Sequence, residues 1–164
     1  MRFKVMSGFI LSGVLSLANA QGCSIAEKER AITCAAEAAD RHSVDVLLLW
    51  AIKRNESGAS ACGKVELVNE DGSIDRGPMQ VNSQWLPRLQ AKGINIKPDD
   101  LYDWCVSFEV GAWILADSIK RNGLAEGVAR YHSPTAWRGA RYVRGVLSQL
   151  DAMSKNRAKR ASPL

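Results

Sequence analysis

The sequence predicts a mainly α-helical single domain with a minor β-hairpin or irregular loop. Apolar residues recur at helical spacing over most of the 164-residue chain. One stretch interrupts this spacing, where an Asp71-Gly72 turn signal separates two short alternating segments. The length suits one hydrophobic core, and no internal repeat indicates a second domain.

Two helices are predicted before this interruption. Ser24 followed by Glu27 is a capping-box signature, and helical spacing continues to Arg41. Ser43 can cap a second helix, which is apolar on nearly every side and has Gly58 as its stop. Because a helix that is apolar all round is usually buried, we predict that this second helix is the central one.

Further helices are predicted after the interruption. The first covers residues 79–89, where Pro87 limits its length or starts a second piece. The clearest is a long helix that Asp103 caps and Gly123 ends, with an apolar stripe along one side. The last two predicted helices cover residues 124–131 and 137–153.

The N-terminus has the pattern of a secretory signal peptide over residues 1–20. Two basic residues precede a short apolar stretch, and an Ala-Asn-Ala cleavage site ends at Ala20. The apolar stretch is too short to span a bilayer comfortably. Acylation of Cys23 as a lipoprotein is the alternative, and Gln21 argues against it.

Most of the positive charge lies at the two ends of the chain. The formal net charge is +5, and Arg2 and Lys4 supply two of these charges. Segment 155–164 adds four cations and no acid, so the domain between, residues 21–154, is left at about −1. A nucleic-acid partner has little support, because this domain lacks a basic stripe with interleaved aromatic residues. We predict a basic disordered tail over 155–164, with contact to an anionic wall polymer or membrane as the alternative.

Four cysteines lie in the exported part of the chain: Cys23, Cys34, Cys62 and Cys105. An even number in an oxidising compartment favours disulfides over metal ligands, and none has C-x-x-C spacing. Spacing alone leaves all three pairings open. The two histidines are too far apart to argue for a metal, so no metal site is predicted.

The apolar run "LLLWAIKRNESG", residues 47–58, ends on a carboxylate, Glu56. Burial and the negative end of the helix dipole both disfavour the charged form, so we expect a raised pKa. An acid still protonated near neutral pH can protonate a glycosidic oxygen. The alternatives are an ion pair, for which Lys53 and Arg54 are near in sequence, or exposure to water.

Ordinary glycosidases use a second carboxylate as base or nucleophile. Four acids of the following loop are available, Glu66, Glu70, Asp71 and Asp75, and no position singles one out. Asp71 is expected to serve the turn, and Asp75 is nearest the next motif. A mechanism with one carboxylate, in which the substrate provides the second group, stays open.

Three blocks of sequence carry a resemblance to a known enzyme family. They are "AIKRNESG" around Glu56, "DRGPMQVNSQWLPRL" from Asp75 and "YDWCVSFEVGAWILA" from Tyr102. In this order and at these intervals they resemble the soluble lytic transglycosylase family, most of all its small specialised members that accompany secretion, pilus and conjugation machines. The resemblance covers residues 34 to about 146.

The resemblance implies a lysozyme-like fold and cleavage of peptidoglycan between N-acetylmuramic acid and N-acetylglucosamine without addition of water. Glu56 is the implied catalytic residue, first as acid to the scissile oxygen and then as base to the muramic 6-hydroxyl. The implied product is a 1,6-anhydro sugar, and no cofactor takes part. By position, the expected substrate-binding residues are Ser57, Met79, Gln80, Asn82 and Tyr131.

Two of these residues are expected to act on Glu56 itself. The family match implies that Ser57 orients the acid and that the Tyr131 hydroxyl hydrogen-bonds it. The alternatives are a helix-terminal hydroxyl for Ser57, a core side chain for Met79, and exposed amides for the two carboxamide residues.

The sequence departs from the family pattern at two places. Pro78 stands where the family has an open-chain apolar residue. The proline ring stiffens the backbone that leads to Met79. The family's Tyr-Asn-Ala-Gly block corresponds here to "YHSP", so only Tyr131 carries over and the far side of the groove stays open. Trp85 and Trp137 are candidates for stacking on sugar rings, with ordinary packing as the alternative.

The resemblance also implies a disulfide pairing and a setting. Small members of the family carry cysteines at the places of Cys34 and Cys105, so we expect that bond and leave Cys23 and Cys62 to pair. The expected location is the periplasm, with peptidoglycan glycan strands as substrate and a secretion, pilus or conjugation apparatus as partner. A lysozyme-type muramidase, or a non-catalytic peptidoglycan-binding assembly factor on the same fold, is the alternative.

Overall fold

The computed structural model describes residues 23–161, and it confirms a mainly α-helical fold with a minor β element. The predicted signal peptide, residues 1–20, lies outside the described residues. The sheet stands between the second and third helices along the chain. The elements are α1 (Ile25–His42), α2 (Val46–Ser57), β1 (Glu66–Val68), β2 (Ile74–Arg76), β3 (Val81–Asn82), α3 (Trp85–Gln90), a 3₁₀ helix (Pro98–Tyr102), α4 (Trp104–Asn122), α5 (Leu124–His132) and α6 (Ala136–Ala161).

The first helix begins as predicted, and the start of the second needs correcting. The Ser24 hydroxyl accepts a hydrogen bond from Glu27 N at 3.2 Å, and the Glu27 carboxylate accepts one from Ser24 N at 2.8 Å. Ser43 does not cap α2, because its φ of 53° is left-handed and it ends α1 instead. The cap of α2 is Asp45, whose carboxylate accepts a hydrogen bond from Leu48 N at 2.9 Å.

The core is centred on α4, not on α2 as the sequence predicts. Nine residues of α4 are buried and four of α2, and Leu47 of α2 is 48% exposed. Asp103 caps α4 and Gly123 ends it, as predicted. Helix α5 packs closely on α4, since a Cβ at Gly127 would lie 2.6 Å from Ile119 Cα.

The predicted hairpin is present, and a third strand extends it into an antiparallel sheet of order β1-β2-β3. Leu67 of β1 pairs with Asp75 of β2, which in turn pairs with Asn82 of β3. The Asp71 carboxylate accepts hydrogen bonds from Ser73 N at 2.9 Å and from Ser73 Oγ at 2.6 Å, so it serves the turn as expected.

The helix predicted over residues 79–89 begins later than expected. Met79 and Gln80 form a turn before β3, and helix α3 begins only at Trp85. The φ of Gln80 is 48°, which lies outside the right-handed helical region. Pro87 is accommodated in the first turn of α3, where its missing N–H would have no helical partner.

Helix α6 extends beyond the predicted end at residue 153. It continues to Ala161, so the prediction of a disordered tail is wrong for residues 155–161, and residues 162–164 lie outside the described part. An ion pair between Lys155 Nζ and Asp151 at 2.7 Å, one turn apart, and several Lys, Arg and Ala residues support the extra turns. All residues of 154–161 are exposed.

Two disulfides connect the helices and loops with the expected pairing. Cys34 of α1 is bonded to Cys105 of α4, and Cys23 is bonded to Cys62 in the loop after α2. These bonds hold α1 against the central helix and the start of the described chain against the loop that follows α2. None of the helices between residues 23 and 161 combines the length and the apolar composition that a membrane span requires.

Candidate active site

A large cavity opens beside the end of α2. Its volume is about 1150 Å³, which exceeds the usual range for sites that bind one small molecule. The lining comes from three parts of the chain: Glu56, the sheet region between residues 68 and 88, and the helical region between residues 114 and 138. A cleft of this size suits an extended ligand such as an oligosaccharide.

Glu56 lies in the last turn of α2 and lines this cavity. The residue is only partly exposed, and burial of its carboxyl raises the pKa from 4.5 to about 7, as the sequence led us to expect. The negative charge of Asp75 raises this pKa further, while the Tyr142 hydroxyl lowers it. The carboxyl is therefore poised to give up or take a proton near neutral pH.

The basic neighbours of Glu56 in sequence do not pair with it. Lys53 Nζ donates hydrogen bonds to the carbonyl oxygens of Gly58 and Ala61, both at 2.9 Å. Arg54 Nε donates to Gln149 Oε1 at 3.1 Å. Among residues 23–161, no cation lies within ion-pair distance of the Glu56 carboxylate. The ion-pair alternative therefore has no support, and the acid faces the cavity.

Tyr142 is a phenol that interacts with the Glu56 carboxyl, and it is not among the predicted site residues. Its hydroxyl is buried without a hydrogen bond of standard geometry, yet it is close enough to Glu56 to change the pKa. Its ring is stacked with His132, with centroids 4.9 Å apart, and with Tyr131, at 6.4 Å. The available signal was its helical spacing from Val146, which indicates that Tyr142 lies on the buried side of α6. A buried phenol then needs a polar partner for its hydroxyl.

Ser57 and Tyr131 both donate hydrogen bonds to the backbone of the sheet region, whereas the family resemblance predicts contacts with Glu56. Ser57 Oγ donates a hydrogen bond to Pro78 O at 2.8 Å, and Tyr131 Oη donates one to Met79 O at 3.0 Å. Ser107 of α4 completes the set, since its hydroxyl accepts a hydrogen bond from Met79 N at 3.0 Å. Side chains from α2, α4 and α5 thus hold the same dipeptide in place, and Ser57 and Tyr131 are positioning residues.

Met79 does not line the cavity, so its predicted role as a groove residue needs correcting. Its side chain is completely buried and packs against Gly111 of α4, where a Cβ would lie 2.8 Å from Met79 Cε. The methionine and the glycine therefore form a complementary pair that seats the sheet region on the central helix. The alternative of a core methionine is the correct one.

Gln80 does line the cavity, in a turn that depends on glycine. Its side-chain amide donates a hydrogen bond to Gly77 O at 2.8 Å, and its N–H donates to the same oxygen at 3.0 Å. Gly77 has φ 75°, and a Cβ there would lie 1.8 Å from Leu101 O. The turn therefore fixes Gln80 beside the cavity while using its amide protons internally.

Asn82 and Asp75 face each other across neighbouring strands, and both line the cavity. Asn82 Nδ2 donates to Asp75 Oδ1 at 2.8 Å, and Asn69 Nδ2 donates to Asp75 Oδ2 at 3.0 Å. Two amides therefore hold the carboxylate in a fixed orientation. Of the other acids considered, Glu66 is paired with Arg76 at 3.1 Å and does not line the cavity.

The "YHSP" segment forms part of the opposite wall, where His132, Ser133 and Pro134 all line the cavity. Burial lowers the pKa of His132, which favours the neutral form of its imidazole. Trp85 also lines the cavity and packs edge-on against Trp113, with centroids 6.0 Å apart. Within residues 23–161, no group of three or more His, Cys, Asp or Glu side chains is arranged to hold a metal.

Comparison with known proteins decides the family. Residues 33–136 match the transglycosylase SLT domain. The chain belongs to this family. Invasion protein IagB of Salmonella typhi is 34% identical over 137 residues, which are 76% of this chain and 82% of that protein. Invasion protein IagB of Salmonella typhimurium strain SL1344 is 39% identical over 106 residues, 63% of each chain.

Membership of the transglycosylase SLT family agrees with the geometry and confirms the lysozyme-like fold class. The matched range contains Glu56 and all five predicted substrate-binding residues. It ends before Tyr142, so this phenol, which lowers the pKa of Glu56, comes from the part of the chain beyond the match. The family implies peptidoglycan as the substrate.

Proposed function

We propose that this protein is a peptidoglycan lytic transglycosylase that cleaves the bond between N-acetylmuramic acid and N-acetylglucosamine and forms 1,6-anhydro-N-acetylmuramic acid. The observation that carries the proposal is the carboxyl of Glu56, which has a pKa of about 7 and faces a cleft of about 1150 Å³. A protonated carboxyl at that place can act as general acid on a glycosidic oxygen.

The chemistry needs one carboxyl in two successive roles. Glu56 first gives its proton to the oxygen between the sugars, and the N-acetylglucosamine side leaves with a new hydroxyl. The carboxylate then takes the proton of the muramic 6-hydroxyl, whose oxygen bonds to the anomeric carbon. No water is consumed, and Glu56 ends protonated, ready for the next cycle. A pKa near 7 suits both steps, because neither protonation state is strongly disfavoured.

The proposed setting is the periplasm, where the enzyme would open the wall locally for a trans-envelope secretion, pilus or conjugation apparatus. Two disulfides are typical of an oxidising compartment, and residues 1–20 have the pattern of a signal peptide. The similar Salmonella proteins carry the name invasion protein, which is consistent with service to such an apparatus.

Mass spectrometry of the products released from purified cell walls tests this proposal. We expect muropeptides that end in 1,6-anhydro-N-acetylmuramic acid from the wild type and none from Glu56→Gln. Glu37→Gln is the matched control, because Glu37 is exposed on α1 and lies outside the cavity lining. Equal product release by Glu56→Gln and Glu37→Gln would refute the assignment of the acid.

A lysozyme-type muramidase is the second candidate, and Asp75 favours it. This carboxylate lines the same cavity as Glu56 and is held in place by two amides, as a second catalytic carboxylate would be. Hydrolysis would release reducing ends instead of anhydro ends, so the same spectra separate the two reactions. A non-catalytic wall-binding protein would release no soluble product from either wild type or variant.

A further inference from the structure

A second cavity, of about 450 Å³, lies beside the catalytic cleft. Its lining combines an aromatic face, two guanidinium groups, one carboxamide and one imidazole. His132 and Arg138 line this cavity and the catalytic cleft alike, so the two are adjacent. The complete lining is Asn55, His132, Trp137, Arg138, Arg141, Tyr142 and Gly145.

The two arginines of this second cavity differ from those of the catalytic cleft in their ion pairing within the described part of the chain. Among residues 23–161, no acidic side chain lies within ion-pair distance of Arg138 or Arg141. Arg121 and Arg130 of the catalytic cleft, by contrast, are paired with Asp117 and Glu126 on their own helices. The guanidinium groups of the second cavity therefore keep their hydrogen-bond donors free for a carboxylate.

Trp137 gives the second cavity an exposed apolar surface. It is 63% exposed, although tryptophan is usually well buried. The Arg138 guanidinium lies 5.3 Å from its ring centroid, which holds the cation beside the indole. An indole next to free guanidinium groups suits a ligand with both an aliphatic part and a carboxylate.

The base of the second cavity connects it to the catalytic acid. Tyr142 lines it and also interacts with Glu56, and Asn55 directly precedes Glu56 in α2. Gly145 allows this approach, because a Cβ there would lie 2.4 Å from Asn55 Oδ1. A ligand in this cavity therefore lies close to the sugar that is being cleaved.

We infer that the second cavity binds the carboxylates of the peptide attached to the muramic sugar next to the scissile bond. This inference rests on the proposed function. In peptidoglycan, a lactyl group that carries a peptide is an amide and has no charge, and the sugar rings are uncharged as well. The carboxylates that can bind Arg141 therefore belong to the peptides. Their short aliphatic side chains match the Trp137 face. The cavity thus makes the enzyme selective for glycan that still carries peptides.

The test compares kcat/KM on soluble glycan strands that carry peptides with kcat/KM on the same strands after enzymatic removal of the peptides. Arg141→Gln is the main variant because Arg141 lines the second cavity and not the catalytic cleft. Arg144→Gln is the matched control, since Arg144 is an exposed arginine of the same helix outside both cavities. Trp137→Ala tests the apolar face independently.

We expect Arg141→Gln to lower kcat/KM about tenfold on peptide-bearing strands, as loss of a charge-assisted hydrogen bond would. On peptide-free strands the variant should match Arg144→Gln. Equal losses on both substrates would mean that the cavity holds sugar or only supports the fold, and would overturn the inference. An unchanged rate on peptide-bearing strands would overturn it as well.

A binding measurement separates failure of this inference from failure of the proposed function. A soluble disaccharide that carries its peptide is titrated into each protein while the indole resonance of Trp137 is followed by NMR. Even if the wild type releases no product from any wall, weaker binding by Arg141→Gln than by Arg144→Gln supports the inference. Equal affinity of the two variants for this fragment contradicts it.

Discussion

Two ionisable residues of α2, Lys53 and Glu56, are both withdrawn from water, and they differ in what surrounds them. Burial lowers the pKa of Lys53 to about 8 and raises the pKa of Glu56 to about 7. The Lys53 ammonium donates hydrogen bonds to two backbone carbonyls and lies 5.3 Å from the Trp104 ring centroid. The Glu56 carboxyl instead faces the cleft.

A shifted pKa therefore identifies burial, while access to a cavity identifies function. Lys53 is only 2% exposed, and its donors hold the carbonyl groups of Gly58 and Ala61 in the loop after α2. Cys62, bonded to Cys23, fixes the same loop. Lys53 is therefore a structural group, and Glu56 is the group available to a substrate.

The largest expected effect separates the two residues by activity. Glu56→Gln should lower product release from peptidoglycan by at least about a hundredfold, because it removes general acid and base catalysis. Lys53→Met should lower it less than about tenfold, since it changes only the support of the loop. Initial rates of soluble product release measure both. Losses of similar size in the two variants would contradict the division of roles.

The second prediction concerns the stability cost of the buried acid. The pKa of Glu56 is about 7 in the folded state and 4.5 ordinarily. Between these pH values the folded protein binds more protons than the unfolded chain, so its stability falls as pH rises. Glu56→Gln should therefore raise the free energy of unfolding at pH 8 by roughly 3 kcal/mol relative to wild type, and by almost nothing at pH 4.

Urea denaturation with the disulfides intact measures this difference at both pH values. Glu37→Gln, an exposed substitution of the same chemistry on α1, should show no such dependence on pH. A Glu56→Gln protein that is destabilised at pH 8 would show that the carboxylate is not penalised by its surroundings.

The features that the sequence predicts well are those that depend on local order. The capping box at Ser24, the turn at Asp71, and the cap and end of α4 at Asp103 and Gly123 each involve residues within a few positions of one another. The raised pKa of Glu56 also follows from local order, because a carboxyl at the end of an apolar helix is withdrawn from water. The disulfide pairing followed from the family resemblance and not from spacing.

The features that the sequence does not predict depend on contacts between distant segments. The side chain of Met79 is buried because Gly111 makes room for it, and Ser57 turns to Pro78 because that carbonyl is brought to it. Tyr142 meets Glu56 only once α6 packs beside α2. The tail was predicted as disordered from its charge, whereas residues 155–161 are helical. They extend helix α6, and adding residues to an existing helix costs less free energy than starting a new one.

A smaller effect is expected on the pH dependence of the reaction. Product release should fall as pH rises above about 7, because only protonated Glu56 can begin the cycle. Tyr142→Phe removes the hydroxyl that lowers the pKa of Glu56, so the midpoint of this fall should move to higher pH. Tyr102→Phe is the control, since the Tyr102 hydroxyl donates to Glu66, outside the cavity lining. An unchanged midpoint in Tyr142→Phe would show that the Tyr142 hydroxyl does not affect the pKa of Glu56.

The smallest expected effect tests Lys53 alone. Its pKa is about 8 in the folded state and about 10.5 ordinarily. Between these pH values the unfolded chain binds more protons than the folded protein, so stability rises as pH increases. The free energy of unfolding of the wild type should therefore rise between pH 8 and pH 9.5 relative to that of Lys53→Met. Lys28→Met, at an exposed lysine of α1, should keep the wild-type dependence. If wild type and Lys53→Met change in parallel over this range, the Lys53 ammonium is hydrated in solution, and the contrast with Glu56 rests on the cavity alone.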